Sequence, residues 1–315
     1  MNNTLCLLPN EHIRSYLFRI HYQSPFGTFP TTAKRFGFDN FRASSVTTLH
    51  KLDVDLCLLL SDPLFKFWYS NCGGNYMLPF MTKSEVKEIR SSFQKKETQF
   101  STIHARTLHN NAWRYCSTCR EHDLDRYGVS YYHHPHQVAG VFHCYKHKSR
   151  LISHCANCDY KLSDLSRAPV PPAENKCPSC RDRMVEDLGY FDDFMTSVES
   201  FCLSINQHVA QFTLNDIQNN NLTYIGLTDD ENNTLAFKRS VSHWNKELWQ
   251  SLGKERLQRY FNNTIKLDGI TMSPTLKTPR HFLKDSSFKF SPPLVYILAM
   301  HATNTIPSCH VLKMD

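Results

Sequence analysis

The amino-acid sequence predicts a mainly α-helical protein in three consecutive parts. Its 315 residues are enough for two or three domains that each bury a core. A hydrophobic content of 41%, with 12% aromatic residues, excludes a disordered chain. Seven of the twelve cysteines fall between Cys116 and Cys180, and stretches with helical spacing of apolar residues flank them on both sides. We therefore predict an N-terminal helical domain over 1–110, a cysteine-rich region over 111–185 and a C-terminal helical domain over 186–315.

The first predicted helix follows Asn10, a residue type that favours the helix N-cap. Its apolar side chains recur at helical spacing and share one face, which consists of Ile13, Tyr16, Leu17 and Ile20. This pattern predicts a short amphipathic helix.

Two more helices are predicted in the N-terminal domain. One starts at Thr31 and Thr32 and stops at Gly37, and another starts where Thr82 and Glu85 have the spacing of a capping box. Successive short helices fit a helix-turn-helix-like domain, and they fit a small bundle as well. We predict the helix-turn-helix-like arrangement.

Positive charge is concentrated in this N-terminal domain, which has 13 Lys and Arg against 8 Asp and Glu. Lys and Arg side chains contact the phosphates of nucleic acids. The candidate DNA-binding residues are Lys34, Arg35 and Arg42. A solvated basic face is the alternative for each of them.

The compartment determines how the cysteines are interpreted. The apolar run at the N-terminus has only four residues before Pro9, which is too short for a signal peptide. No stretch approaches the roughly 18–20 apolar residues of a membrane span. We therefore expect a cytoplasmic protein with no membrane contact, where thiols stay reduced and clustered cysteines bind metal rather than form disulfides.

The cysteine-rich region contains four half-sites, each with two metal-binding side chains separated by two residues. In chain order they are Cys116 and Cys119, Cys144 and His147, Cys155 and Cys158, and Cys177 and Cys180. This spacing lets both side chains turn onto one ion, and two half-sites complete a tetrahedron around zinc. The 18 residues between Cys158 and Cys177 are typical of a zinc ribbon. We predict a small zinc-ribbon insert, built from a β-hairpin and knuckles, that binds two structural Zn²⁺ ions.

We predict a sequential pairing of the half-sites, and a cross-braced pairing is the alternative. In the sequential pairing, the first half-site joins the second and the third joins the fourth, which closes the shorter loops. In the cross-braced pairing, the first joins the third and the second joins the fourth. Either pairing gives each ion four protein ligands and leaves no position for a catalytic water. With both ions closed in this way, the formal net charge of +7 falls to about +4, because the ligating thiols are deprotonated.

A histidine-rich run suggests a different chemistry. It contains His133, His134, His136 and His143, and such a run can supply a hydrolytic metal site. The sequence has no H-E-x-x-H motif and no P-loop motif, so we expect neither a metalloprotease nor an ATPase. A hydrolase remains the alternative, and it would require a third, labile metal ion. We expect a protein that is not an enzyme.

The C-terminal domain reads as a series of helices. One apolar stripe predicts a helix of about 20 residues, and it consists of Phe194, Val198, Phe201, Ile205, Val209 and Phe212. Thr228 and Glu231 have capping-box spacing before a helix that Gly253 ends. A short buried helix follows Pro292 and Pro293.

Two stretches of the chain resemble the TniQ/TnsD family of bacterial transposon target-selection proteins. In the middle region the matching residues are Arg114, Tyr115, Cys116, Cys119, Tyr127, Gly128, Tyr132, His133, His136, Gln137, Gly140, Val141, Cys144, His147 and Leu151. Near the N-terminus they are Pro9, Glu11, Ser15, Leu17 and Arg19. Three positions carry a residue that is less common in the family: Ser117 stands where Pro is common, Tyr132 where Trp is more common than Tyr, and Lys148 where Gly is common.

The resemblance implies a transposition adaptor in the bacterial cytoplasm. Such a protein links a target site to the transposon's AAA+ ATPase regulator, a TnsC-like partner. The target is either DNA that the adaptor binds directly or a CRISPR Cascade complex with its guide RNA, and members that ride on Cascade form a homodimer. The alternative from the residues is a sequence-specific DNA-binding regulator with a zinc ribbon and a helix-turn-helix.

Overall fold

The computed structural model describes residues 6–25, 27–35, 66–95, 112–208, 210–227, 234–261 and 293–307. Its helices are α1 (Ile13–Gln23), α2 (Phe29–Arg35), α3 (Lys66–Asn71), α4 (Gly74–Met77), α5 (Lys83–Lys95), α6 (Ser117–Tyr127), α7 (Asp193–Gln207), α8 (Leu214–Tyr224), α9 (Leu235–Leu252), α10 (Lys254–Phe261) and α11 (Pro293–Thr303). Two short strands, β1 (Ile152–Cys155) and β2 (Met184–Glu186), form one antiparallel sheet. The prediction of a mainly helical fold with a small β element is confirmed.

Helix α1 begins after His12 and not after Asn10. The His12 side chain caps the helix, since its Nδ1 accepts a hydrogen bond of 3.2 Å from the Arg14 amide. Asn10 lies two residues earlier in a turn, with a left-handed φ of 58°. The prediction of Asn10 as the N-cap was wrong. Asn10 belongs to the turn before the helix, and the N-cap is His12.

Helix α1 is buried on all sides along Ile13–Ile20, which a single apolar face does not predict. Its Ile13 and Leu17 join the main core cluster, whereas Phe18 joins a second cluster with Trp113. The helix thus lies between two apolar clusters. Its polar residues are buried with partners, as described below.

Of the two further helices predicted in the N-terminal part, α2 starts earlier than predicted and α5 starts as predicted, while α3 and α4 between them were not predicted. Helix α2 begins at Phe29, two residues before Thr31, because the Thr28 carbonyl accepts hydrogen bonds from the Thr31 and Thr32 amides (3.1 and 3.3 Å). Helix α5 begins with the predicted capping box: the Glu85 amide donates to Thr82 Oγ1 (3.3 Å), and the Thr82 amide donates to Glu85 Oε2 (2.7 Å). Gly37 lies outside the described residues.

The main core cluster draws residues from all three predicted parts of the chain. Leu17 and Trp68 come from the N-terminal part, Val141 from the middle part, and Val198 and Ile297 from the C-terminal part. The division at 110 and 185 stays a prediction, but the three parts share this core.

Helix α7 ends at Gln207, earlier than the apolar stripe predicts. The chain then turns, and a capping box between Thr213 and Asp216 starts α8. Phe212 lies in this connection and is buried there. Its apolar character therefore results from burial, although the residue is not part of a helix. Val209 lies outside the described residues.

The last helices agree with the sequence patterns. Helix α9 ends at Leu252, and Gly253 adopts the left-handed φ of 74° that favours glycine after a helix. Its N-cap is Thr234, while the predicted box at Thr228 and Glu231 lies outside the described residues. Helix α11 is buried from Pro293 to Met300, as predicted for the short apolar helix.

Candidate metal centres

Two groups of side chains in the described residues are close enough to hold a metal ion. They are Cys116, Cys119, Cys144 and His147 (site one), and Cys155, Cys158, Cys177 and Cys180 (site two), and within each group the candidate ligand atoms lie within 4.8 Å of one another. The structure therefore brings the half-sites together in the sequential pairing and not in the cross-braced one. Each group could hold one metal ion.

Site one is compact. Nδ1 of His147 lies 3.4 Å from the Sγ atoms of Cys116 and Cys119 and 3.6 Å from Sγ of Cys144. The Sγ atoms of Cys119 and Cys144 are 3.6 Å apart. The four atoms converge from both half-sites onto one point.

Site two has the same dimensions. The Sγ atoms of Cys155 and Cys180 are 3.6 Å apart, and those of Cys158 and Cys177 are also 3.6 Å apart. Strand β1 leads into the first of its half-sites, and β2 leaves the second, with Cys155 opposite Met184 in the sheet. The small sheet therefore fixes the distance between the two half-sites.

Three of the four half-sites share one backbone geometry. In each, the amide four residues after the first cysteine donates to that cysteine's carbonyl, and the cysteine's amide donates to the carbonyl five residues later. The pairs are Lys148 to Cys144 and Cys144 to Ser149, Asp159 to Cys155 and Cys155 to Tyr160, and Arg181 to Cys177 and Cys177 to Asp182. Because these bonds close the turn, both metal-binding side chains of a half-site point to the same side.

The residue after each of these half-sites has a left-handed backbone. The φ angles are 59° at Lys148, 53° at Asp159 and 67° at Arg181. A side chain other than glycine is strained in this conformation. Glycine in place of Lys148 would relieve this strain.

The fourth half-site is helical. Cys116 is the N-cap of α6, and Cys119 lies in its first turn. The Arg120 amide donates to the Cys116 carbonyl at 3.0 Å, as in any α-helix. The positive end of the helix dipole at α6 favours thiolates at this position.

The two sites differ in burial. Cys116, Cys119 and Cys144 are at most 3% exposed, and all three belong to the main core cluster. In site two, Cys158 and Cys180 are exposed. An attacking reagent therefore reaches site two more easily than site one.

Two polar groups contact the sulfurs of site one from outside. Nε2 of His136 lies 3.3 Å from Cys144 Sγ, and Ser149 Oγ lies 3.3 Å from Cys116 Sγ. His136 is fully buried, and this burial holds its pKa well below the ordinary value. A neutral ring that donates Nε2–H to the Cys144 sulfur agrees with both observations, and sequence reasoning gave His136 no role at the site.

The histidine-rich run does not converge on one point. His133 contacts Asp123 (2.7 Å), His134 contacts Asn206 (2.8 Å), His136 contacts Cys144 and His143 contacts Glu199 (2.8 Å), in each case through a ring nitrogen. Each histidine thus has a different partner. Within the described ranges, no third group of metal-binding side chains forms around the run.

The N-terminal motif and the middle motif are joined by hydrogen bonds. The His12 amide donates to the Tyr132 carbonyl (2.9 Å), and the Tyr132 amide donates to Ser15 Oγ (2.9 Å). The His134 amide donates to the Asn10 carbonyl (2.7 Å). The two stretches that carry the family resemblance therefore form one packed unit, although about a hundred residues separate them.

Arg114 and Gln137 support the loop before site one. The Arg114 amide donates to Gln137 Oε1 (3.0 Å), and Gln137 Nε2 donates to the Arg114 carbonyl (2.7 Å). The Arg114 guanidinium donates to the carbonyls of Val138 (3.0 Å) and Val141. Burial lowers the Arg114 pKa to about 9. These residues order the backbone that leads to Cys144.

Glu199 is a supporting residue that sequence reasoning missed. Its Oε1 accepts hydrogen bonds from the Phe142 and His143 amides (both 2.6 Å), and its Oε2 contacts the His143 ring. Burial alone would raise its pKa, but the hydrogen bonds from His143 and Phe142 hold the pKa below the ordinary value. Glu199 directly follows Val198 of the apolar stripe. An acidic residue next to this stripe was the one sign in the sequence that a carboxylate could be buried here.

The candidate DNA-binding residues are only partly described. Lys34 is exposed on α2, whereas the side chain of Arg35 and the whole of Arg42 lie outside the described residues. Only Lys34 of the three can be placed, so their role stays a prediction.

No helix in the described part of the chain has both the length and the apolar character to cross a membrane.

The candidate centres are defined by their geometry and by the motifs around them. Comparison with protein-family models found no matching family, and comparison with curated proteins found no matching protein.

Proposed function

We propose that sites one and two each hold a structural Zn²⁺ ion. A tetrahedral zinc site has sulfur–sulfur edges of about 3.8 Å and sulfur–nitrogen edges of about 3.6 Å, from bonds of about 2.3 and 2.0–2.1 Å. The separations of 3.4 to 3.6 Å in both groups agree with these edges. Thiolates with at most one imidazole are the ligands typical of structural zinc.

We propose further that the chain is a transposition target-selection adaptor of the TniQ/TnsD kind. The observation that carries this proposal is the union of the two resembling stretches into one unit. Ser15 of the first stretch accepts a hydrogen bond from Tyr132 of the second, which leads to the half-site at Cys144. The packing of the two stretches into one unit supports their interpretation as parts of one motif.

In this proposal the zinc ions position surfaces and perform no chemistry. Four protein ligands close each ion, so no coordination position is left for a substrate. The histidines that could have formed a third site have separate partners, as described above. The zinc-ribbon and helix-turn-helix descriptions of the middle and N-terminal parts belong to the same proposal.

The adaptor proposal predicts a specific protein partner. The gene should lie beside genes for a transposase and an AAA+ ATPase regulator, and the purified chain should bind that ATPase in the presence of ATP. Biolayer interferometry with the neighbouring ATPase measures this binding. A gene neighbourhood without transposition genes, or an ATPase that ignores the folded, metal-loaded chain, contradicts the proposal.

DNA binding separates the adaptor from a stand-alone regulator. A regulator binds its operator as a pure protein, typically 10³–10⁷-fold more tightly than other DNA. An adaptor that rides on an RNA-guided Cascade complex binds naked DNA weakly and loses that binding steeply as salt rises. Filter binding to genomic fragments across a salt series distinguishes the two, and operator-strength selectivity would favour the regulator.

A further inference from the structure

A cleft of about 1110 Å³ lies away from both metal centres, between α5 and the start of α8. Its lining comes from residues 75–91 on one side and 210–218 on the other. The N-caps of both helices, Thr82 and Thr213, line it. Because each helix N-terminus carries partial positive charge, the cleft presents two such ends together.

One wall of the cleft is a row of cations. Lys83, Lys87 and Arg90 line it at the spacing i, i+4 and i+7, which places them on one face of α5, and all three are exposed. Within the described residues, none of them forms an ion pair with a carboxylate. The carboxylate of Asp216, which also lines the cleft, already accepts hydrogen bonds from the amide and hydroxyl of Thr213. Asp216 keeps its negative charge, but three cations line the cleft against this one carboxylate, so the net charge of the lining is positive.

The rest of the lining is apolar. Met81 and Phe212 are buried at 5% and 6% exposure, and Leu78, Val86 and Leu214 are half-buried. An apolar side chain of a partner could displace water from this surface. The cleft thus combines a cationic wall with an apolar floor.

Asn75 adds a specific requirement. It is 4% exposed and lines the cleft, and its Nδ2 donates to the Asn206 carbonyl at 3.3 Å, which fixes the orientation of the amide. Among the described residues, its buried Oδ1 accepts no hydrogen bond. A buried acceptor without a donor loses its hydrogen bonds to water and gains none from the protein, which is unfavourable. The cleft therefore suits an occupant that brings an N–H group.

We propose that this cleft binds an acidic peptide segment of a protein partner, with Asp or Glu side chains on the cationic wall and an apolar side chain on the floor. A peptide backbone supplies the N–H group that Asn75 lacks. The sugar-phosphate backbone of a nucleic acid supplies neither an N–H donor nor an apolar anchor. The observations therefore favour a peptide over DNA or RNA, and this inference does not depend on the proposed role in transposition.

A random peptide display library selected on the full, metal-loaded chain tests the proposal. We expect enrichment of peptides that combine acidic and apolar residues. Synthetic copies of them should bind at least ~10-fold more weakly to a variant with Lys83→Glu, Lys87→Glu and Arg90→Glu. These are exposed helix positions, where substitution seldom alters the fold.

The matched control carries the same charge change elsewhere, with Lys238→Glu, Arg239→Glu and Lys246→Glu on α9. These three side chains are also exposed and lie outside the cleft. The control should bind the peptides as the unchanged protein does. Asn75→Leu should also weaken binding, because it removes the acceptor.

Several outcomes would overturn the proposal. They are failure to enrich any peptide, enrichment of peptides without acidic residues, and equal losses in the cleft and control variants. The cleft would be assigned to nucleic acid instead if a mixed-sequence DNA or RNA duplex bound the protein, if this binding required Lys83, Lys87 and Arg90, and if no peptide bound in that way.

Discussion

Glu11 and Arg19 form a two-point ion pair that is completely buried. Arg19 Nε lies 2.8 Å from Glu11 Oε1, and Arg19 Nη2 lies 3.0 Å from Glu11 Oε2. Both side chains have 0% exposure. Arg19 also donates to the Cys6 carbonyl, and Glu11 accepts from the Leu8 amide. Through this pair, α1 holds the chain segment that precedes it.

Removing one partner of this pair should be severe. Glu11→Gln leaves a buried guanidinium without its counter-charge, which costs about 3–5 kcal/mol. Urea unfolding of the metal-loaded protein measures the loss. The control is Glu121→Gln, because Glu121 is 59% exposed in its pair with Arg120 and should contribute less than about 1 kcal/mol. Equal effects of the two substitutions would contradict the importance of burial.

The difference in burial between the metal centres predicts two rates of metal release. Undamaged protein should contain about two zinc ions per chain, one for each site. A thiol reagent should release the first quickly, from the exposed Cys158 and Cys180, and the second slowly. A colorimetric zinc indicator follows both phases. Cys6→Ser is the control, since Cys6 is exposed but belongs to neither site, and it should change neither phase.

The left-handed backbone at Lys148 predicts a stabilising substitution. Lys148→Gly removes a strain of about 1–2 kcal/mol, partly offset by the greater freedom of glycine in the unfolded chain. We expect a net gain of about 0.5–1 kcal/mol in the free energy of unfolding. Lys146→Gly, two residues earlier and without a left-handed φ, should instead lower stability. Urea and thermal unfolding should both rank Lys148→Gly as more stable than the unchanged protein and Lys146→Gly as less stable. The reverse order of stability would refute the strain argument.

His301 predicts a loss of stability in mild acid. Burial against the rings of Phe194 and Phe201 lowers its pKa to about 4, below the ordinary 6.5. Between these pH values the unfolded chain binds a proton that the folded chain does not, so stability falls as the pH falls from 6.5 to 4. Since the ring is only partly buried, we expect about 1–2 kcal/mol from this residue.

The test of the His301 prediction compares stability at several pH values. His301→Gln should flatten the dependence between pH 6.5 and 4 relative to the unchanged protein. His243→Gln is the control, because His243 is 74% exposed and its replacement should leave the curve in place. A His301→Gln curve as steep as that of the unchanged protein would show that other groups cause the loss.

Local patterns predicted the parts of the fold that depend on neighbouring residues. The half-sites, the capping box at Thr82 and Glu85, and the end of α9 at Gly253 each involve side chains within a few positions of one another. Such features follow from turn and helix geometry, which the sequence displays directly.

Features that depend on distant contacts were not predictable in the same way. The burial of α1 on all sides results from its position between two clusters, and the hydrogen bonds to Glu199 come from the Phe142 and His143 amides, which are distant in sequence. The early end of α7 was missed for a local reason, since the apolar stripe concealed the capping signal at Thr213. Periodicity reports which side chains are buried, but not which element buries them.

Site one lies in the core that all three parts of the chain share, with Cys116, Cys119 and Cys144 among the core residues. Without a metal ion, three thiols and an imidazole would meet in this core with nothing to bind them together, so loading and folding are one event. Under the zinc proposal, a cell starved of zinc would therefore hold an incompletely folded chain that proteases degrade. The amount of this protein in the cell would follow the supply of a trace nutrient.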